Sequence, residues 1–216
     1  MAAFLYPIYT LATFGLAIWG IILFQQSHRV STILLIVVVA GMIYDNLIVS
    51  VGRLINEGAL LKLLNRLRFL FHNLCVPLLV VVAVNLANIA GVPWANNSIL
   101  YKSCWAIAIA LITLGLLTDF RQLELIPTAF AGTLRYKPKS CGVPILTILT
   151  ALLVAVVGFC IWHQTQWLWM FVGTLIMLVG NALPKSIFGP LLGSVVDCIF
   201  ILTLLATDLM MSEFMH

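Results

Sequence analysis

Charge is what this sequence has least of. Its 216 residues hold seven Asp and Glu and eleven Lys and Arg, so 8% are charged, against about 25% in a soluble domain. Hydrophobic residues make up 63%, against about 45–50%. A chain of this size cannot hide so much apolar surface from water. That excludes a soluble domain, a disordered chain and a nucleic-acid binder. Other absences narrow the chemistry. The five cysteines have neither the density of a disulfide scaffold nor the spacing of metal ligands. No His and acidic residues pair at the intervals of an iron site, and there is no Gly-rich phosphate loop. No Asp-rich repeat of the kind that holds a prenyl diphosphate through magnesium occurs, and no internal repeat marks an inverted-repeat transporter. The sequence therefore calls for no cofactor and no metal.

What is present is a series of long apolar runs. A spanning helix needs about 20 such residues. Seven runs qualify, at 5–24, 32–52, 69–90, 104–118, 143–161, 167–183 and 188–207, the fourth short and extensible outward to Asn97. They show no barrel-like alternation, so helices must satisfy their backbone in lipid. The expectation is an all-α polytopic integral membrane protein: one helical bundle over residues 1–216 with about seven transmembrane helices. No basic residue precedes the first run and no small-residue cleavage site follows it, so it reads as a retained helix. The membrane is that of a cell or the inner membrane of an organelle.

Basic residues orient the bundle. Arg53, Lys62, Arg66, Arg68, Arg121, Arg135, Lys137, Lys139 and Lys185 fall in loops on one side, and only Arg29 and Lys102 on the other. The positive-inside rule makes the richer side cytoplasmic, with the N-terminus inside and the C-terminus outside. Trp94, Trp105, Trp162 and Trp167 flank the outer loops and suit an interfacial belt. Cys104 and Cys160 lie near that outer face, where a disulfide between them is open. Asn96-Asn97-Ser98 is a weak glycosylation sequon there.

Two inner loops, near 53–68 and 119–142, read as interfacial. In the first, Leu60, Leu61, Leu64 and Leu67 recur at helical spacing while Lys62 and Arg66 share another face. The pattern suits a short helix lying on the leaflet. The second ends in Arg135, Lys137 and Lys139, a cluster that signals topology or attracts anionic head groups.

Polar residues inside the bilayer are costly and so are the informative ones. Asp45, within Tyr44-Asp45-Asn46, falls in the second run and Asp197 in the seventh. Burial disfavours the charged form of a carboxyl, which makes each a candidate general acid or proton carrier. His72 and Asn73 open the third run at its cytoplasmic end. Asn181 closes the sixth on that side, and Asp119 with Arg121 ends the fourth. The catalytic candidates are Asp45 and Asp197, with Tyr44, Asn46, His72, Asn73 and Asn181 as substrate-binding or supporting residues. For Asp45 and Asn46 the competing reading is hydrogen bonding between helices, and for His72 snorkelling to the interface. Asn85 and Asn88 share an outer face of the third run and read as helix–helix glue. Pro77 is expected to kink that run, and Gly189-Pro190 to open the seventh. Tyr6, Tyr9, Trp19 and Tyr44 line a cavity or belong to the core and belt.

The stretch Tyr44-Asp45-Asn46, Gly52-Arg53, Glu57-Gly58, Arg68-Phe69, His72 and Pro77 has the density of a signature. In size, number of spans and buried acids, the layout resembles small seven-helix membrane terpene cyclases. That resemblance implies two acidic residues that protonate an epoxide or olefin and then steer a carbocation, without metal or nucleotide. Three functions follow. The first is an enzyme performing acid catalysis on a lipid-soluble, isoprenoid-like substrate. The second is a proton-coupled or small-molecule transporter, and the third a non-catalytic subunit of a membrane complex. The partners are membrane lipids and a lipid-soluble small molecule, with an oligomer of like or unlike chains left open.

Overall fold

A computed structural model describes residues 2–139, 144–183 and 191–213. Helix α1 (Ala2–Ser27) turns at His28, whose φ is +49°, into α2 (Val30–Ile55). Asn56 at φ +66° stops α2, and α3 (Ala59–Cys75) begins three residues on. Pro77 breaks α3 from α4 (Leu78–Ile89). Proline has no N–H to give Asn73, so Leu79 N and Val80 N reach back only three residues, to Val76 O and Pro77 O. The two pieces together make a 31-residue helical stretch, Ala59–Ile89, with an apolar window long enough to span.

Asn97 caps α5 (Ser98–Gly115), its side chain accepting from Ile99 N at 2.8 Å. The helix widens into a π-turn over Leu116–Phe120. An antiparallel hairpin follows, β1 (Leu125–Phe130) and β2 (Thr133–Pro138), with Leu125 opposite Pro138 and Phe130 opposite Thr133. Its loop, Ala131-Gly132, has positive φ at both positions, matching the right-handed twist of the strands. Helix α6 (Ile145–Thr165) ends at a left-handed Gln166; α7 (Trp169–Ala182) and α8 (Leu191–Glu213) follow.

The protein is an all-α membrane bundle with this one hairpin added. Among the described residues, six helices are long and apolar enough to cross a bilayer. The seventh, α7, has 14 residues, about 21 Å at 1.5 Å per residue, and is the short one. Lys185 and the Gly189-Pro190 pair expected to open the last span lie outside the described residues, as does Cys141.

Helices α2, α4 and α8 form the middle. Leu35, Val38 and Val39 of α2 meet Val80, Val82, Ala83 and Leu86 of α4 and Ile201, Leu204 and Leu205 of α8, all buried. Against α8, α7 comes so close at Gly173 that a methyl group there would collide with the Thr203 side chain. Several hydroxyls in the spans turn back on their own helices, as Thr10 does to Tyr6 O and Thr174 to Met170 O. Their polar hydrogens are thereby kept from lipid. Other apolar side chains, such as Phe4, Leu11, Ile109 and Val156, are exposed, as a bundle facing lipid requires.

Four expectations need correction. The segment 53–68 is no separate interfacial helix, because α2 continues to Ile55 and α3 is the base of a span. Its Leu61, Asn65 and Arg68 are buried while Leu60 stays exposed, since the hairpin covers that face. Residues 119–142 are likewise more than an interfacial loop. The hairpin folds back so that Tyr136 and Leu125 pack with Leu61 and Ile48. The basic cluster splits as a result, with Arg135 turned inward while Lys137 and Lys139 stay exposed, Lys139 paired to Glu124 at 3.0 Å. Third, Cys104 and Cys160 are free thiols; α5 packs chiefly on α4, and α6 on α7 and α4. Finally, Asn85 does not join helices but donates to Val81 O of its own turn at 2.8 Å.

Candidate functional site

Helical spacing explains how the polar residues meet. On α2, Val38, Gly41, Met42, Asp45 and Asn46 recur every three to four residues and so share one face. Arg68, His72, Cys75 and Val76 do the same along α3 and its exit, and Ser194 and Asp197 on α8. Those three faces line one hollow of about 120 Å³, at the end of the bundle that carries the hairpin. It is partly open, and its volume accommodates several waters or one small polar group. Sites that engulf a drug-sized ligand are larger, about 300–1,000 Å³.

One wall is a hydrogen-bond chain. Arg68, only 9% exposed, donates from Nε to Asp45 Oδ1 at 2.8 Å and from Nη1 to Asn65 Oδ1 at 2.7 Å. Asn65 is fully buried. Its Oδ1 also accepts from Tyr136 N of the hairpin at 3.2 Å, and its Nδ2 donates to Leu61 O at 2.8 Å. The hairpin thus fixes Asn65, Asn65 fixes Arg68, and Arg68 fixes Asp45. Glycine at position 52 makes this docking possible. A methyl group there would run into the carbonyl oxygen of Leu134, so β2 lies directly on the α2 backbone.

Arg135 stands behind this wall. It interacts electrostatically with Tyr6, Arg68 and Asp45, and its buried Nε has no hydrogen-bond partner. Burial lowers the pKa of its guanidinium from the usual value, and Arg68 adds to that.

Each candidate residue has a definite place. Asp45, Asn46, His72 and Asp197 line the hollow. Asp45 departs from the expected desolvated acid, because it is paired to Arg68 and its side chain is 42% exposed. Asn181 reaches the hollow indirectly, Nδ2 donating to Asp197 Oδ1 at 3.0 Å. A ring nitrogen of His72 lies 3.1 Å from Thr147 Oγ1 of α6. Asn73 faces away, toward Gly115 O at 3.5 Å and a second, smaller crevice. Tyr44 also turns aside; its hydroxyl donates to Leu64 O at 3.1 Å and its ring meets Phe71 edge-on. Asn46 makes no glue, for its Oδ1 has no partner. Tyr6, Tyr9 and Trp19 do not line the hollow; its apolar wall is Val38, Met42, Cys75 and Val76. Among the described residues, no three His, Cys, Asp or Glu side chains gather as metal ligands would.

A second polar cluster, at the opposite end, escaped sequence reasoning. Asp208 of α8 is 1% exposed. It accepts from Thr32 Oγ1 at 2.5 Å and Ser31 Oγ at 3.4 Å, with Arg29 Nη1 at 3.9 Å. Arg29 also bonds Ser212. The signal was an acid directly after the seventh apolar run, together with one of the two cations assigned to the outer loops. No family model matches this sequence, and comparison with curated proteins finds no match.

Proposed function

We propose that the protein is a membrane enzyme that performs acid catalysis on one end of a lipid-soluble substrate. Asp197 is the proton donor in this reading. Asp45 is less suited to that role, because its Oδ1 already accepts from the Arg68 guanidinium at 2.8 Å. It serves instead, with Arg68, to orient what enters. Asn181 positions the Asp197 carboxyl, and His72 and Asn46 complete the polar wall.

The supporting observation is the convergence of Asp45, Asn46, Arg68, His72 and Asp197, from three helices, on a hollow left unfilled. A bundle selected only for packing would close such a gap with apolar side chains. The volume refines the substrate. Cyclising a long polyene requires a chamber that folds the whole chain, and about 120 Å³ holds only an end group. The reading is therefore proton transfer at a terminal polar group or double bond, with the tail left in lipid. A carrier would need polar groups to continue toward the opposite end. Val80, Val82, Ala83 and Leu86 fill that region instead, which favours the enzyme.

The test uses purified protein in nanodiscs, incubated with a total lipid extract of the producing cells. Products are compared by chromatography and mass spectrometry for wild type, Asp197→Asn and Asp45→Asn. Wild type should yield a product absent with Asp197→Asn, and Asp45→Asn should slow its appearance. An identical lipid profile for wild type and Asp197→Asn would sink the proposal.

A further inference from the structure

We infer that Arg135 of β2 and Tyr6 of α1 together hold a phosphate oxyanion at the hairpin end of the bundle. Neither residue lines the hollow, so the site is a separate one and does not depend on how the hollow is read.

Arg135 is the cation left over when the charges of this end are paired. Arg68 takes Asp45 at 2.8 Å. Arg135 is half-buried, and among the described residues it makes no ion pair and no hydrogen bond. Asp45 is the one acid among the groups that act electrostatically on Arg135 or on Tyr6. Two guanidiniums against one carboxylate leave a positive charge in excess, partly withdrawn from water and without a counter-ion. That is a costly arrangement for the protein alone.

The donors concerned can be reached. Arg135 Nε is sealed inside the protein, but Nη1 and Nη2 are not, and neither has a protein acceptor. The Tyr6 hydroxyl is in the same position, unbonded to protein and not sealed, on a residue that is otherwise buried. Each of the two side chains is the other's foremost electrostatic neighbour. A guanidinium end presents N–H groups at the spacing of two oxygens on one anion. The hydroxyl donates to a third. A carboxylate would fill the fork and leave the hydroxyl unserved, whereas a phosphate has oxygens for both.

A lipid head group is the favoured source of that phosphate. Tyr6 stands about 6 Å along α1 from its start, at 1.5 Å per residue, which is the depth of head groups rather than of tails. Phe4 and Ile8, on either side of it in sequence, are exposed and apolar, and offer acyl chains a surface.

The experiment follows thermal unfolding of the full chain, in an uncharged detergent, by its tryptophan fluorescence. Phosphatidylglycerol, phosphatidylcholine with the same acyl chains, and inorganic phosphate are each titrated in. Phosphatidylglycerol should raise the Tm of the wild type. Phosphatidylcholine, whose own ammonium offsets its phosphate, should raise it less, and inorganic phosphate should leave it unchanged. Arg135→Gln should lose the shift, measured against its own Tm without ligand. Arg135→Lys keeps the charge without the fork and should retain a smaller shift; it serves if the glutamine variant does not fold. Tyr6→Phe should need at least about tenfold more lipid, the loss of one hydrogen bond to a charged group. Lys62→Gln removes an exposed cation from the same end and should leave the shift intact. No shift with any probe would overturn the site, as would a full shift in Arg135→Gln. Equal losses in Arg135→Gln and Lys62→Gln would overturn it too, by showing diffuse attraction to a basic surface. A shift with inorganic phosphate as large as with phosphatidylglycerol would keep the oxyanion and make its source soluble. Asp197→Asn should lose turnover and keep the shift, so this site and the catalytic reading fail separately.

Discussion

Arg68 holds Asp45 at 2.8 Å while its other arm is held by Asn65 at 2.7 Å. The two partners are not equivalent, since Asn65 is fully buried and the Asp45 side chain is 42% exposed. Removing Arg68 takes away one of the two donors to the buried Asn65 oxygen, which keeps Tyr136 N, and leaves the Asp45 carboxylate without its cation, whereas neutralising Asp45 leaves an accessible group that can still accept. Arg68→Leu should therefore cost roughly 1.5–3 kcal/mol of stability, the range for a hydrogen bond made by a charged group. Asp45→Asn should cost less than about 1 kcal/mol, as exposed ion pairs do. Denaturant unfolding of both variants in one detergent checks the order, and equal losses would show that the Asn65 link carries no weight.

Gly52 gives a sharper test of the same wall. Its missing side chain lets the Leu134 carbonyl rest on α2. Gly52→Val should lift β2 off the helix and break the bond from Tyr136 N to Asn65. Hydrogen exchange should then accelerate across Leu125–Pro138 and leave α6 and α8 protected. Unchanged protection of the Tyr136 amide would contradict the docking of β2 on α2.

The spans were legible in the sequence because an unbroken apolar run of about 20 residues is longer than an ordinary core helix needs and matches the thickness of a bilayer. The Pro77 break was equally local, depending on one residue's own chemistry, and the fourth run does extend outward to Asn97, whose side chain caps it. The hairpin was not legible. Its two strands are six residues each, and half of Thr133–Pro138 is polar or charged, so the segment reads as a basic loop. What makes it a strand is tertiary, namely Gly52 making room and Asn65 accepting the Tyr136 amide. The hollow was legible in part. Asp45, Asn46, His72 and Asp197 stand out as polar groups in apolar runs. Runs that are apolar on all faces give no rotation, however, so the outward turn of Tyr44 and Asn73 could not be read. Arg68 reads in sequence only as a loop cation, because a charge near a span end carries no label saying which way it points.

Asp208 shows the same limit at the other end. The seventh apolar run stops at Thr207, one residue short of an acid that the bundle buries almost completely. Asp208→Ala would leave the Ser31 and Thr32 hydroxyls, both buried, without their acceptor. A loss of about 1–3 kcal/mol is expected. Asp208→Asn retains an acceptor oxygen and should lose less. Thermal unfolding of the two variants decides, and an Asp208→Ala protein as stable as wild type would mean that the α2–α8 clasp is idle.

The hairpin end should face the cytoplasm. Of the eleven basic residues, nine belong to loops assigned to that side, and orientation follows the Lys and Arg bias of short loops. Lys62, on the exposed face of α3, and Lys102, on the exposed face of α5, stand near opposite ends of the bundle. Single cysteines at the two positions, in a background with the native cysteines replaced, can be probed in intact cells with a thiol reagent that does not cross membranes. Lys102→Cys should label from outside, and Lys62→Cys only after the cells are opened. Labelling in the reverse order would turn the bundle over and place the Asp45–Asp197 hollow in the outer leaflet. Its substrate would then have to arrive from outside the cell.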